Sequence, residues 1–294
     1  MIDQKLIDAE IKKAKFQAGV LEKDLSEFKI DYDELNQDDS EARVRSRKTV
    51  KDLIKLYGND SAVRMCAYMN AILAWNEMVN LTGVDNRDDF LQKNIVDSLA
   101  VNKLEDMRGK PRVIDVGTGA GLPGVPLALS NPGSQFVLID SVNKKLSIIR
   151  EIVEDLSISN IQVVHGRAED LGHQDDFREG FDVCVSRAVA SLNVLAEWCL
   201  PFVKVGGLFV AYKGEKAQEE VDKAEKAIKT LGGELEDIID VESEDPSMTM
   251  HKLVTIRKIR PTPAKYPRKA GMARKAPIKV SFIQLFYGPA TAVP

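Results

Sequence analysis

Residues 112–124 read RVIDVGTGAGLPG, a β-branched run that ends in an acid and then opens through Gly117, Gly119, Gly121 and Gly124 into an apolar helix. A strand that passes at once into a glycine-rich turn and a helix is the entry to a βα unit. It restricts the chain to folds that seat a nucleoside-bearing ligand over the carboxyl end of a strand. Glycine supplies φ > 0 for the sharp turn and removes the Cβ atoms that would hold a ligand off the backbone. Asp115, two residues before the first glycine, bears on which ligand that is. A carboxylate repels a diphosphate but attracts the ammonium and sulfonium of S-adenosylmethionine. Gly119, Gly121 and Gly124 also satisfy G-x-G-x-x-G, with Asp140 at about the twenty-residue offset of a ribose-binding acid. From the loop alone, a nicotinamide or flavin site and a glycine turn that serves only packing therefore stay open.

Downstream of the loop the pattern alternates strand and helix. The sequence predicts strands at 113–116, 136–139, 161–164, 181–185, 207–213, 235–241 and 253–259, and helices at 122–130, 144–156, 192–202 and 215–231. Buried apolar strands joined by helices imply a parallel sheet wound on both sides. The last two strands have no helix between them, so an antiparallel hairpin at the sheet edge is expected, an ending typical of S-adenosylmethionine-dependent methyltransferases. The expected fold is α/β and Rossmann-like, a class I methyltransferase with a mostly parallel seven-stranded sheet and N-terminal helices.

Upstream, Ile2, Leu6, Ala9, Lys13 and Phe16 fall at helical spacing, and the acidic stretch IDYDELNQDDSEA then reads as a linker. Two helices follow between Ser46 and Asn80, broken and capped at Gly58-Asn59-Asp60. The expected division is an N-terminal extension (1–45), a helical segment on the core (46–110), a methyltransferase core (111–260) and a basic C-terminal arm (261–294).

Composition, 44% hydrophobic and 29% charged over 294 residues, suits one sizeable α/β core with an appendage in a soluble chain. Cys66, Cys184 and Cys199 show no paired spacing and read as buried thiols, and no basic leader or long apolar run is evident, so a reduced, cytoplasmic setting with no membrane is expected. The net charge of −4 hides an asymmetry: no acid follows Asp245, whereas ten Lys and Arg do. Such a run reads either as a solvated tail or as an arm for a polyanion, and the interleaved Pro263, Tyr266, Pro267 and Gly271 favour an ordered loop.

The strand ends carry the candidate chemistry. Asp140, with Ser141, is placed to accept from both ribose hydroxyls or to cap the next helix. Glu169 or Asp170 is placed to accept from the adenine amino group or to sit as a solvated acid, and Ala168 offers a backbone N–H to an adenine ring nitrogen. After the fourth long strand stands Ser186-Arg187-Ala188. Enzymes that methylate exocyclic amines place an acceptor there, whereas an arginine suits the acceptor-rich N7/O6 edge of guanine, or serves as a structural ion-pair partner. His165, His173 and His251 are scattered, no cluster has metal-ligand spacing, and Gly-x-Ser-x-Gly is absent.

Taken together, Trp75-Asn76, Asn80-Leu81-Thr82, Asp97-Ser98-Leu99, DVGTGAGLPGVPLAL, Asp140-Ser141, Arg167-Ala168-Glu169, SRAVASL, Lys213-Gly214, TPAKYPRKAG and Lys275-Ala276-Pro277 resemble the glucose-inhibited-division B family. These are 16S rRNA guanine-N7 methyltransferases, and the likeness runs from about Tyr68 to Ile278. The resemblance implies cofactor contacts at Gly117, Leu122, Ala168, Glu169 and Arg187. With the strand-end reading, the expected S-adenosylmethionine site comprises Asp115, Gly117, Gly119, Gly121, Leu122, Asp140, Ser141, Ala168, Glu169 and Arg187. Arg187 also takes a catalytic, orienting role, and Arg268 and Lys275 meet RNA phosphates. The implied substrate is a decoding-region guanine, nucleotide 527, in small-subunit rRNA or the subunit itself, with no metal. Asn94 stands where the family has a histidine, and the first sixty or so residues and the end after Lys279 lie outside the likeness. The competing readings are an NAD-dependent oxidoreductase and a non-catalytic RNA-binding protein with a methyltransferase fold.

Overall fold

The computed structural model describes residues 41–187, 189–241 and 251–279. The expected N-terminal helix, most of the acidic linker, Ala188 and the end after Lys279 lie outside them. The helical part opens with α1 (Glu41–Tyr57), α2 (Asn59–Asn76) and α3 (Arg87–Phe90). A π-helical turn at Leu91–Val96 and two 3₁₀ turns lead to β1 (Arg112–Val116). Then come α4 (Gly124–Ser130), β2 (Gln135–Asp140), α5 (Asn143–Asp155), β3 (Ile161–His165), α6 (Ala168–Leu171) and β4 (Phe181–Arg187). The chain continues through α7 (Leu192–Cys199), β5 (Val203–Lys213), α8 (Ala217–Thr230), β6 (Gly233–Val241), β7 (His251–Lys258) and α9 (Met272–Lys275).

The strands form one seven-stranded sheet in the order β3-β2-β1-β4-β5-β7-β6. Pairings β2–β3, β1–β4 and β4–β5 are parallel, while β7 runs antiparallel between β5 and β6. The last two strands form the antiparallel edge expected from the sequence, with β6 outermost. The periodic signal placed each strand of the described residues, while several helix bounds and short turns escaped it. The helix expected from Leu122 begins at Gly124, the helix expected from Ser46 reaches back to Glu41, and the four-residue α6 sits where a loop was expected.

By their internal packing the described residues divide into two compact units, the first running up to 110 and resuming over 118–165, the second taking 111–117 and everything described from 166 on. In the first, Tyr68, Phe90, Leu127, Leu138, Leu146 and Ile149 are buried between helices and strands, and α2 packs on α4. In the second, Val183, Val185, Phe209, Val210, Val254 and Ile256 are buried, as continuous apolar strands covered on both faces require. The three cysteines are free and buried, and desolvation pushes the Cys66 thiol up to about 11.

The second unit encloses a cation completely. Lys258, at the end of β7, is fully buried; its Nζ donates to Leu200 O (2.6 Å), Val203 O (3.1 Å) and Thr262 Oγ1 (2.7 Å), and lies 3.1 Å from Glu179 Oε1. Desolvation lowers its pKa from 10.5 to about 8, against the opposing pull of Glu179. Between those two values the unfolded chain binds more protons than the folded one, so stability rises with pH there. The contribution is complete above the unfolded value and lost as pH falls through the folded one. Lys258→Met removes the titration. Urea unfolding is therefore expected to show wild type gaining on the variant from pH 8 to 10.5, by an amount on the order of 2 kcal/mol. A pH-independent difference would refute the assignment.

Candidate functional site

In the first unit the glycine turn is held by three anchors. Thr118 N donates to Ile139 O (3.1 Å) and Gly119 N to Asp140 Oδ2 (3.0 Å), while Tyr68 Oη donates to Ala120 O (2.6 Å). Asp140 Oδ1 accepts from Val142 N (2.8 Å), so one carboxylate fastens both the turn and the entry to α5. An ionised carboxylate offers about four acceptor positions, so these bonds leave capacity for ribose hydroxyls. Ser141, beside it, is exposed, with its carbonyl 3.2 Å from His165 Nε2. Leu122 is buried, and Gly121 N and Leu122 N both return to Thr118 O. Gly119 and Gly121 have φ of 56° and 88°, which explains their identity. The space beside Gly121 is filled by Val125 and the Tyr68 hydroxyl. Asn94 is buried in the π-helical turn, next to buried Asp97 and Ser98.

In the second unit Asp115 is fully buried in β1, in register with Val185 of β4. Ser186 Oγ donates to Val116 O (2.8 Å), tying the ends of β1 and β4 together. Gly117 follows with φ 74°, and a Cβ there would lie 2.7 Å from Val189 Cγ2. A side chain at 117 therefore meets the loop after β4 before it meets any ligand, a reason the sequence did not supply. Arg187 ends β4 half-buried, beside Tyr212 of β5. Ala168 opens α6, where backbone N–H groups have no intrahelical acceptor, and Glu169 is buried with Oε1 accepting from Gly271 N (2.9 Å).

The two RNA candidates differ in setting. Lys275 is exposed at the end of α9. Arg268 makes a bidentate pair with fully buried Glu197, Nε at 2.8 Å and Nη2 at 2.5 Å, and its backbone N donates to the same carboxylate. That pair holds the guanidinium pKa up and leaves 26% of the side chain exposed.

Four supporting residues escaped the sequence reading. Tyr68 pins the turn, and Glu197 pins the arm. Lys213, nearly buried, donates from Nζ to Ala190 O (2.7 Å) and Glu220 Oε2 (2.8 Å), and Glu220 also accepts from Leu192 N. Arg274 donates from Nη2 to Val189 O (3.2 Å), with its guanidinium 5.0 Å from the Trp198 ring centre. Only Lys213 had a signal, its place in the Lys213-Gly214 motif.

Among the described residues, no group of three or more His, Cys, Asp or Glu could hold a metal, and no helix is long and apolar enough to cross a membrane. Residues 62–249 match a family model described as rRNA small subunit methyltransferase G. A relative of that name from Alkaliphilus oremlandii is 47% identical over 74% of this chain and 90% of its own, and one from Clostridium tetani is 44% identical over 72% and 88%. The cofactor-bound crystal structure of Rv0187 from MTB superposes with a TM-score of 0.51 at 16% identity, covering 76% of this chain and 99% of that one, which bears on the fold alone.

Tyr68→Phe keeps the ring in its buried place but leaves Ala120 O without its donor. It is expected to lower stability by about 1 kcal/mol in denaturant unfolding, and to weaken binding of S-adenosylhomocysteine measured by titration calorimetry. Unchanged affinity would mean that the turn holds its shape without the tyrosine.

Proposed function

The chain belongs to the rRNA small subunit methyltransferase G family, and from that premise we propose that it methylates N7 of a guanine in the decoding region of 16S rRNA, at nucleotide 527. It is a methyltransferase of small-subunit rRNA with S-adenosylmethionine as methyl donor. The observation that carries the finer reading is Arg187 closing β4, where an amine-methylating enzyme needs an acceptor. Arginine is a donor only, and it matches the N7/O6 edge of guanine.

S-adenosylmethionine supplies an electrophilic methyl on a sulfonium. The residues present suit it. Asp140 keeps acceptor capacity for the ribose, Glu169 for the adenine amino group, and Ala168 places a backbone N–H where α6 begins. In this reading Asp115 faces the cationic end electrostatically, Gly117, Gly119, Gly121 and Leu122 form the turn along the ligand, and Ser141 assists Asp140. Guanine N7 has an in-plane lone pair and no proton to lose, so the protein needs to position rather than to titrate. Arg187 orients the base and the cofactor.

RNA phosphates meet the exposed cations of the arm, Lys275 foremost, with Arg268 through its exposed fraction. The setting is cytoplasmic, and the substrate is the rRNA or the assembled small subunit. Family membership leaves the oxidoreductase reading without support, and methyl transfer separates the proposal from a non-catalytic RNA binder.

The test is purified chain with radiolabelled S-adenosylmethionine and unmodified small subunits, followed by strand cleavage specific for N7-methylguanosine. Label on another atom or nucleotide would overturn the proposal. Asp140→Ala is expected to weaken cofactor binding by about 1 to 3 kcal/mol, with little change in RNA affinity. The arm residues are expected to separate: Lys275→Ala lowers the salt dependence of RNA binding by about one unit. Arg268→Ala also strands Glu197 and lowers stability by about 3 kcal/mol. An unchanged salt slope for Lys275→Ala would move the RNA to another surface.

A further inference from the structure

The basic arm is bonded to Glu169, which the functional reading assigns to the cofactor, and to Val189, which packs beside Gly117. Gly271 N bonds Glu169 Oε1, and Arg274 Nη2 bonds Val189 O, three residues apart in and beside one short helix. Val189 in turn fills the space beside Gly117, within 2.7 Å of where a Cβ would lie. The loop after β4 has a second clamp on the next carbonyl, since Lys213 Nζ bonds Ala190 O. The two clamps differ in character. Lys213 is buried and fixed to Glu220, whereas Arg274 is exposed and rests on the Trp198 ring. One clamp is scaffold, and the other belongs to the surface that carries the exposed cations Lys269, Lys275 and Lys279.

We propose that Arg274 is a positioning residue that couples the arm to the cofactor loops, so that RNA on the arm and S-adenosylmethionine at Gly117 and Glu169 strengthen each other's binding. The inference rests on the functional reading above. RNA that orders α9 presses Arg274 onto Val189 O and Gly271 onto Glu169, which fixes the two contacts before the cofactor arrives. By linkage the cofactor must favour RNA by the same factor.

The experiment uses the full chain, with S-adenosylhomocysteine as the unreactive cofactor probe and unmodified small subunits as the RNA. Arg274→Ala, Arg274→Lys and Lys275→Ala are compared, each first shown to be folded by thermal unfolding. In wild type, S-adenosylhomocysteine is expected to tighten subunit binding by about fivefold or more. Arg274→Ala should abolish that gain and weaken S-adenosylhomocysteine binding without RNA. Arg274→Lys, which can still donate to Val189 O, should recover part of both. Lys275→Ala, an equal loss of charge one residue on, should weaken subunit binding while leaving the coupling factor and the RNA-free cofactor affinity in place.

Cofactor affinity and coupling in Arg274→Ala equal to wild type would overturn the inference and leave the functional reading standing. The same holds if S-adenosylhomocysteine weakens subunit binding, because phosphates would then be stripping Arg274 from Val189. A wild-type chain that neither binds S-adenosylhomocysteine nor transfers methyl would overturn the functional reading, and the coupling with it.

Discussion

Glu197 has no exposure to solvent, and among the described residues Arg268 is the cation bonded to it. Burying a carboxylate without compensation costs several kcal/mol, so the bidentate guanidinium and the Arg268 backbone N–H are conditions for α7 to pack at all. The consequence is topological. A segment that leaves the sheet at β7 must come back across α7 to bring Arg268 there. Its return is then recorded in a series of bonds: Arg178 to Thr262 O and Tyr266 O, His173 to Pro267 O, Gly271 N to Glu169, and Arg274 to Val189 O. The described part of the C-terminal arm belongs to the folded second unit.

This changes what the charge asymmetry means. Ten Lys and Arg after Asp245 look in sequence like a surface for a polyanion, but charge along a chain carries no information on direction. Lys252, Arg257, Lys258 and Arg268 pair with Asp240, Glu236, Glu179 and Glu197, and Arg260 and Arg274 donate to carbonyls. Among the described residues, the four that remain exposed on the arm without such a bond are Lys265, Lys269, Lys275 and Lys279. Lysine, a hydrated point charge on a flexible stem, is suited to following phosphates, whereas arginine's fixed fork is suited to the shaped internal contacts it makes here. The arm divides its cations by that difference.

The fold was legible because its signals are local. Apolar strands and the glycine turn each follow from neighbours in sequence, and the described strands form a seven-stranded sheet with the antiparallel edge expected. The candidate residues at strand ends were legible for the same reason. What supports them was not. Tyr68 lies 52 residues from the carbonyl it holds, Arg268 lies 71 from Glu197, and Arg274 lies 85 from Val189 O. No periodicity encodes such pairs, and a buried Glu in an apolar helix reads like a surface one until its partner is known. The glycines show a subtler gap. Their φ values match the reading, but the volumes beside Gly117 and Gly121 are filled by Val189, Val125 and Tyr68, so packing constrains these positions too.

The support has a common chemical form, and it suits the proposed transfer to N7. Ala120, Val189 and Ala190 are each held by a donor on their carbonyl oxygen: Tyr68, Arg274 and Lys213. Such anchors set the path of the backbone while making no demand on the side chains of the loop, which stay small. A transfer to a lone pair that carries no proton gains little from an acid or base, and much from holding donor and acceptor in line. A site for that task needs stiff backbone around an open space. The donors are a buried tyrosine in the first unit, and a nearly buried lysine and an arginine on the arm in the second.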